Sequence, residues 1–370
     1  DDAAYLIEGD FRIEVTENAW GSDEKSRGAS NYSPAGGPSV CTPRWTSSDY
    51  TGFTGPEEDG IVLKAGRRVY IVRKSGIAGL EANTGDYIFV YNAGEGRTIV
   101  KADYSAGKLI ALDERGQLVV LDGLYGNVCW RRENMTGYTL VEGSILCEED
   151  NKTLLIGVEE GTLLEKYDIP MGDTGGAIVY HGDLFRARGK TLSRFTPDGW
   201  ISVRMFDGET VDIAADEKGL VVLSADGAVI LLADDFSPRL SVLTDVSNGE
   251  IVLGDTGIIV YDTEKGIILD RASLETVAVL PEAVDSCAGS ATILYARAGN
   301  RLLAINRYDG TVVWEYQTPE AEIFADIALS SERLYALTAE GRVLCITGAL
   351  NDSPPETTLL TDPETPDGRD

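Results

Sequence analysis

The stretch 301–318, RLLAINRYDGTVVWEYQT, constrains the fold more than any other. It reads as an apolar strand, a turn at Arg307, Tyr308, Asp309 and Gly310, and a second apolar strand closing on Trp314. Looser copies stand at 79–91 (GLEANTGDYIFVY) and 119–130 (VVLDGLYGNVCW). A lone hairpin cannot bury its own apolar faces, so a repeated one must stack against copies of itself.

From 61 to 350 the chain is strand after strand, with short β-branched runs punctuated by Gly, Asn and Asp and no sustained 3.6-residue period. Turns fall at Gly85, Gly126, Gly172, Gly199, Pro238, Gly266, Gly310 and Gly348, 263 positions in seven intervals, about 38 each. A four-stranded propeller blade takes ~40–45 residues. The reading is therefore an all-β β-propeller of eight blades. Seven is the alternative, because the intervals are uneven: Gly126 to Gly172 is 46, Gly172 to Gly199 is 27 and Pro238 to Gly266 is 28. The last repeat lacks an outer strand. Residues 5–15, within an N-terminal segment 1–20, are expected to supply it and close the ring, which removes an open edge.

Segment 21–60 is rich in Gly, Ser and Pro yet carries Tyr32, Trp45, Tyr50 and Phe53. A disordered linker would be poor in aromatics. It reads as an ordered excursion that caps or plugs the ring; alternatively, Trp45, Tyr50 and Phe53 line a partner surface. Residues 351–370, dominated by Pro, Thr and acids, form a tail, either a plain end or a stalk toward an anchor.

Sixty-one acids against 32 basic residues leave a net charge of −29. Such a chain repels phosphates and anionic lipid, which excludes nucleic acid and membrane-surface binding. No run approaches the ~20 apolar residues of a membrane helix, so this chain is not expected to insert into a membrane. Acids spread along the whole chain read as a solvated surface suited to high salt. The sequence opens at Asp1 without Met, which raises the expectation of a processed export signal or a trimmed chain. Sequons at Asn31, Asn134, Asn151 and Asn351 exceed the one or two expected by chance, and point to a secreted or cell-surface glycoprotein. Pro34 makes Asn31 the poorest acceptor.

The five cysteines, Cys41, Cys129, Cys147, Cys287 and Cys345, show no C-x-x-C spacing, which removes zinc ribbons and thioredoxin-like sites. In an oxidising compartment Cys129 and Cys147 are the candidate disulfide; otherwise all five are small buried apolar residues. The one histidine, His181, would have to serve every Ser-His-Asp or Cys-His scheme, and its setting in IVYHGDLF reads as a surface turn. Acid groups at Asp234-Asp235, Glu148-Glu149-Asp150 and Glu57-Glu58-Asp59 lack the spacing of a calcium loop. No cofactor is expected; a calcium ion held by loop oxygens is compatible with the sequence, at no assignable position.

Residues 302–316 resemble the repeat of the pyrroloquinoline-quinone-type propeller proteins, A-x-D-x-x-T-G-x-x-x-W. Ala304, Gly310 and Trp314 match, with Asn306 in the Asp place and Asp309 where Thr would sit. Ala82-Asn83-Thr84-Gly85 and Leu121-Asp122, Gly126 and Trp130 match in part. The resemblance implies that Trp130 and Trp314 pack one blade against the next and that Gly126 and Gly310 serve tight turns. Quinone-dependent dehydrogenases of this family use an adjacent cysteine pair, which this chain lacks. The resemblance is nearer the non-enzymatic branch, which includes the lipoprotein scaffold of the outer-membrane barrel-assembly machine.

The expected function is a non-catalytic, extracytoplasmic propeller that binds a protein partner at one face or serves as a scaffold. The alternatives are a small quinoprotein-like dehydrogenase or carbohydrate-active enzyme, and a subunit of a surface lattice.

Overall fold

In the computed structural model eight sheets, each with four antiparallel strands and one of them with a fifth, parallel strand added, follow one another around a hub. Residues 37–47, 60–141, 143–172, 177–319, 322–330 and 332–348 are described in full, together with the strands Ala4–Glu8, Phe11–Val15 and Tyr32–Ser33. Blades 1 to 7 span 61–92, 99–132, 135–167, 177–205, 210–243, 250–279 and 286–317; blade 8 spans 324–347 and takes its outer strand from elsewhere. Each blade is a meander running outward from its inner strand. Second and third strands such as Arg68–Arg73 and Val343–Thr347 are apolar on both faces because neighbouring blades cover both. Outer strands such as Leu163–Tyr167 are mostly exposed.

The turns between third and outer strands share one geometry. In five blades a residue in the left-handed region donates its N–H four residues back: Gly85 to Glu81, Gly126 to Asp122, Gly161 to Gly157, Leu274 to Asp270 and Gly310 to Asn306. Asp122, Asp270 and Asn306 cap their turns, their Oδ1 atoms accepting from N–H groups two or three residues ahead. Two expected turn positions are corrected. Gly172 lies in the connection after blade 3, whose turn is at Gly161, and Gly266 opens the third strand of blade 6, whose turn is at Leu274. With these in place the intervals from Gly85 to Gly310 run only from 35 to 41 positions. The turns are evenly spaced, and the blades number eight.

Blades are sealed to one another through these same turns. The indole Nε1 of Trp130, on the outer strand of blade 2, donates to Val158 O in the turn of blade 3 at 2.8 Å. A Cβ on Gly126 would lie 2.1 Å from the ring of Phe89 on the outer strand of blade 1, and one on Gly310 would lie 2.9 Å from Ala278 of blade 6. Nearer the hub, Asp326 bridges blade 8 to blade 1 by accepting from Val62 N at 2.9 Å, and Asp212 bridges blade 5 to blade 6 by accepting from Ile251 N at 2.8 Å.

The ring is closed by a strand from the N-terminal part of the chain, but not by residues 5–15. Ala4–Glu8 and Phe11–Val15 pair with each other. Thr42–Thr46, inside the segment read as a cap, pairs antiparallel with Val343–Thr347 and completes blade 8. The missing N–H of Pro43 is tolerated because this is an edge strand with a register shift beside it. The third-to-outer turn of blade 8 is thus split between the two ends of the chain, and Pro38 O supplies its acceptor: Trp314 Nε1 donates to it at 2.9 Å and Tyr295 OH at 3.2 Å. Upstream of this, Tyr32–Ser33 pairs in parallel with Gly289–Ser290 on the hub side of blade 7.

Candidate partner-binding face

Antiparallel meanders divide the loops between two faces. One carries the turns of the Gly85 type and the turns joining inner to second strands. The other carries the blade-to-blade connections and the turns joining second to third strands. Among the described residues, clefts open on the connection face at three blade junctions. A cavity of about 260 Å³ between blades 1 and 2 is lined by Arg73, Lys74, Lys101 and Thr98. One of about 340 Å³ between blades 6 and 7 is lined by Glu250, Asp262, Glu264 and Asp285. A third, about 230 Å³ between blades 7 and 8, holds Tyr316 and the Arg342–Glu322 ion pair. The face therefore changes sign around the ring, which can orient a charged partner.

In the acidic cleft Tyr261 OH donates to Glu250 Oε2 at 2.5 Å, and burial pushes its phenol well above the ordinary range. A hydrogen bond from Lys265 beside it holds the Asp245 carboxyl below its usual value. In the cleft between blades 7 and 8, burial raises Tyr316, helped by the Cys41 thiol.

Trp45 does not line this face. It sits on the closing strand, its Nε1 donates to Ala82 O in blade 1 at 3.2 Å, and a Cβ on Gly85 would meet its ring at 2.4 Å. Its task is the blade 8–blade 1 seal, and the expectation that it binds a partner is corrected. Tyr50 and Phe53 lie outside the described residues. Trp130, Trp314, Gly126 and Gly310 occupy the inter-blade seals and turns given above. Cys129 and Cys147 are both free thiols, so the expected disulfide is absent. Cys129 is exposed on the outermost strand of blade 2, whereas Cys147 is fully buried on the second strand of blade 3. Asn134 and Asn151 are exposed on the connection face, both with left-handed backbone. Asn31 and Asn351 lie outside the described residues.

His181 lies in the inner-to-second turn of blade 4 with its ring 4.0 Å from that of Tyr180. The acid groups are engaged structurally. Glu148 accepts from Gly172 N, Glu149 pairs with Arg132, Asp234 accepts from Tyr180 OH and Asp235 caps the Ser237 turn. Glu57, Glu58 and Asp59 lie outside the described residues. Among the described residues, no three His, Cys, Asp or Glu side chains converge as metal ligands, and no helix is long and apolar enough to cross a membrane. The residues that sequence reasoning missed are those lining the three clefts, because each cleft joins loops of two blades that only the ring brings together.

Several solved structures share the fold. BamB from Moraxella catarrhalis matches at 12% identity with a TM-score of 0.63, covering 83% of this chain and 98% of that one. The computationally designed Ika8 protein matches at 11% identity and a TM-score of 0.65, covering 81% of this chain and 98% of its own. The C-terminal WD40 domain of Sif2 matches at 10% identity and a TM-score of 0.59, covering 84% of this chain and 99% of its own. A search of curated proteins returns no match. The family model described as outer membrane protein assembly factor BamB matches residues 182–367, half of the chain. On that match, with the quinoprotein-type turns and eight blades in place, the chain belongs to the BamB family of PQQ-repeat propellers.

Proposed function

We propose that this protein is a non-catalytic propeller, stationed outside the cytoplasm or at an outer membrane, that binds a protein partner through its connection face. The observation that carries this reading is the family match over 182–367, since the family is described as an assembly factor. The engagement of the candidate acid groups in turns and ion pairs agrees with it. The exposure of Asn134 and Asn151 agrees with an exported chain.

The test is to immobilise the full chain and pass over it the detergent-solubilised envelope of its own cells. A single envelope protein retained in fixed stoichiometry is the expected result. No retention, together with turnover in a glycan-hydrolysis screen or in a dehydrogenase assay with added quinone and calcium, would overturn the reading.

A further inference from the structure

The outer strands of blades 4, 5 and 6 end on Met205, Leu243 and Val279. All three hold the same place. The next residue donates its N–H to a carbonyl at the start of its own blade's third strand: Phe206 to Lys190, Thr244 to Gly227 and Leu280 to Gly266. At this place Met205 is 69%, Leu243 71% and Val279 62% exposed. Blades 1, 2, 3 and 7 end instead on Asn92, Arg132, Tyr167 and Gln317. Single exposed aliphatic residues are ordinary; an arc at one register position across three consecutive blades is a surface.

The connections beside this arc are acidic, and two of their carboxylates are already held by the protein's own cations: Asp245 by Lys265 and Glu282 by Arg301. The connections that follow the three strands carry Asp207, Glu209, Asp245, Glu282 and Asp285, and neither Lys nor Arg. The arc ends at the acidic cleft between blades 6 and 7. An anionic lipid surface would be repelled. A second copy meeting this one about a two-fold axis would set the same carboxylates against each other.

We propose that this rim, from Met205 through Leu243 to Val279, docks a protein segment whose apolar side chains alternate with Lys or Arg. The proposal rests on the protein-binding reading and names the surface and the chemistry of the partner. The apolar side chains cover the arc, and the cations meet Asp207, Glu209 and the acidic cleft at the end of the arc.

The test titrates the full chain, and a M205S/L243S/V279S variant of unchanged circular dichroism and melting temperature, with an alternating leucine–lysine decapeptide by calorimetry. The native protein is expected to bind it, and the triple variant to bind about tenfold or more weakly, since three aliphatic contacts are lost while the charge is kept. A leucine–glutamate decapeptide is expected not to bind. Equal affinity for the triple variant would overturn the proposal, because charge alone would then hold the peptide. So would a dimer, or binding to neutral lipid vesicles, that the triple variant abolishes. An envelope protein still retained by the triple variant would overturn this surface and leave the scaffold reading standing on another part of the ring.

Discussion

Trp130 lies where a side chain on Gly161 would have to go: a Cβ there would come within 2.8 Å of the indole, and φ at Gly161 is +68°. One glycine therefore serves both a left-handed turn and the docking of the preceding blade. Gly161→Ala is expected to cost about 1–3 kcal/mol, from the disfavoured backbone and the displaced ring. Trp130→Phe keeps most of the packing but leaves Val158 O without its donor, and is expected to cost about 1–2 kcal/mol. Urea midpoints of the two variants measure both. A Gly161→Ala variant as stable as the native chain would show that the seal does not depend on this approach.

Asp326 stands at the junction where the last blade meets the first. It accepts from Val62 N across the junction and from Ile327 N in its own strand, and both donors are buried. Asp326→Ala strands these donors at about 1–3 kcal/mol each. Asp326→Asn retains one acceptor and is expected to fall between. Hydrogen exchange at Val62 is expected to quicken in step with the loss of stability.

Burial sets the chemistry of the thiols. Loss of solvent pushes Cys147 and Cys345 up to about 12 and also raises Cys287, while Cys129 stands exposed. A thiol reagent at about pH 8 is expected to modify Cys129 quickly and the three buried thiols only on unfolding. Burial likewise raises the phenols of Tyr70, Tyr261, Tyr295 and Tyr335. These groups are harder to ionise in the folded chain than in the unfolded one, where they titrate near ~8.5 for thiols and ~10 for phenols. Their contribution to stability is complete below about pH 8.5 and is lost as pH rises toward the folded values. Melting temperature is expected to hold steady from about pH 7 to 8.5 and then fall.

The net charge of −29 sets the response to salt. Exposed carboxylates repel one another, and the screening length shrinks from ~10 Å at 0.1 M to ~3 Å at 1 M. Added potassium chloride is expected to raise the melting temperature by several degrees. A melting temperature indifferent to salt would mean that the acids are too dispersed to interact.

The fold was legible wherever a blade kept glycine at its left-handed turn, as at Gly85, Gly126 and Gly310. It blurred in blade 6, where Leu274 adopts the same backbone at φ +58° without the residue that announces it. In blade 3, Gly157 and Val158 replace the acidic and small residues that Asp122 and Gly123 supply in blade 2, so Gly161 drew no notice. The closing strand TPRWT hid behind its proline, and Trp45 passed for a loop aromatic because its acceptor, Ala82, belongs to another blade. The clefts and the arc of Met205, Leu243 and Val279 were not legible. Alternation places an outer-strand residue in or out only once its register is known.

The pairing of Thr42–Thr46 with Val343–Thr347 also sets a timetable for biogenesis. On a ribosome the first of these strands emerges about 300 residues before its partner, so it must wait while seven blades are made. Until then the nascent chain is an unsealed stack with two sticky ends, and a truncated product stays that way. The protein thus carries its own check on completeness: only a translation product that reaches blade 8 can join its ends.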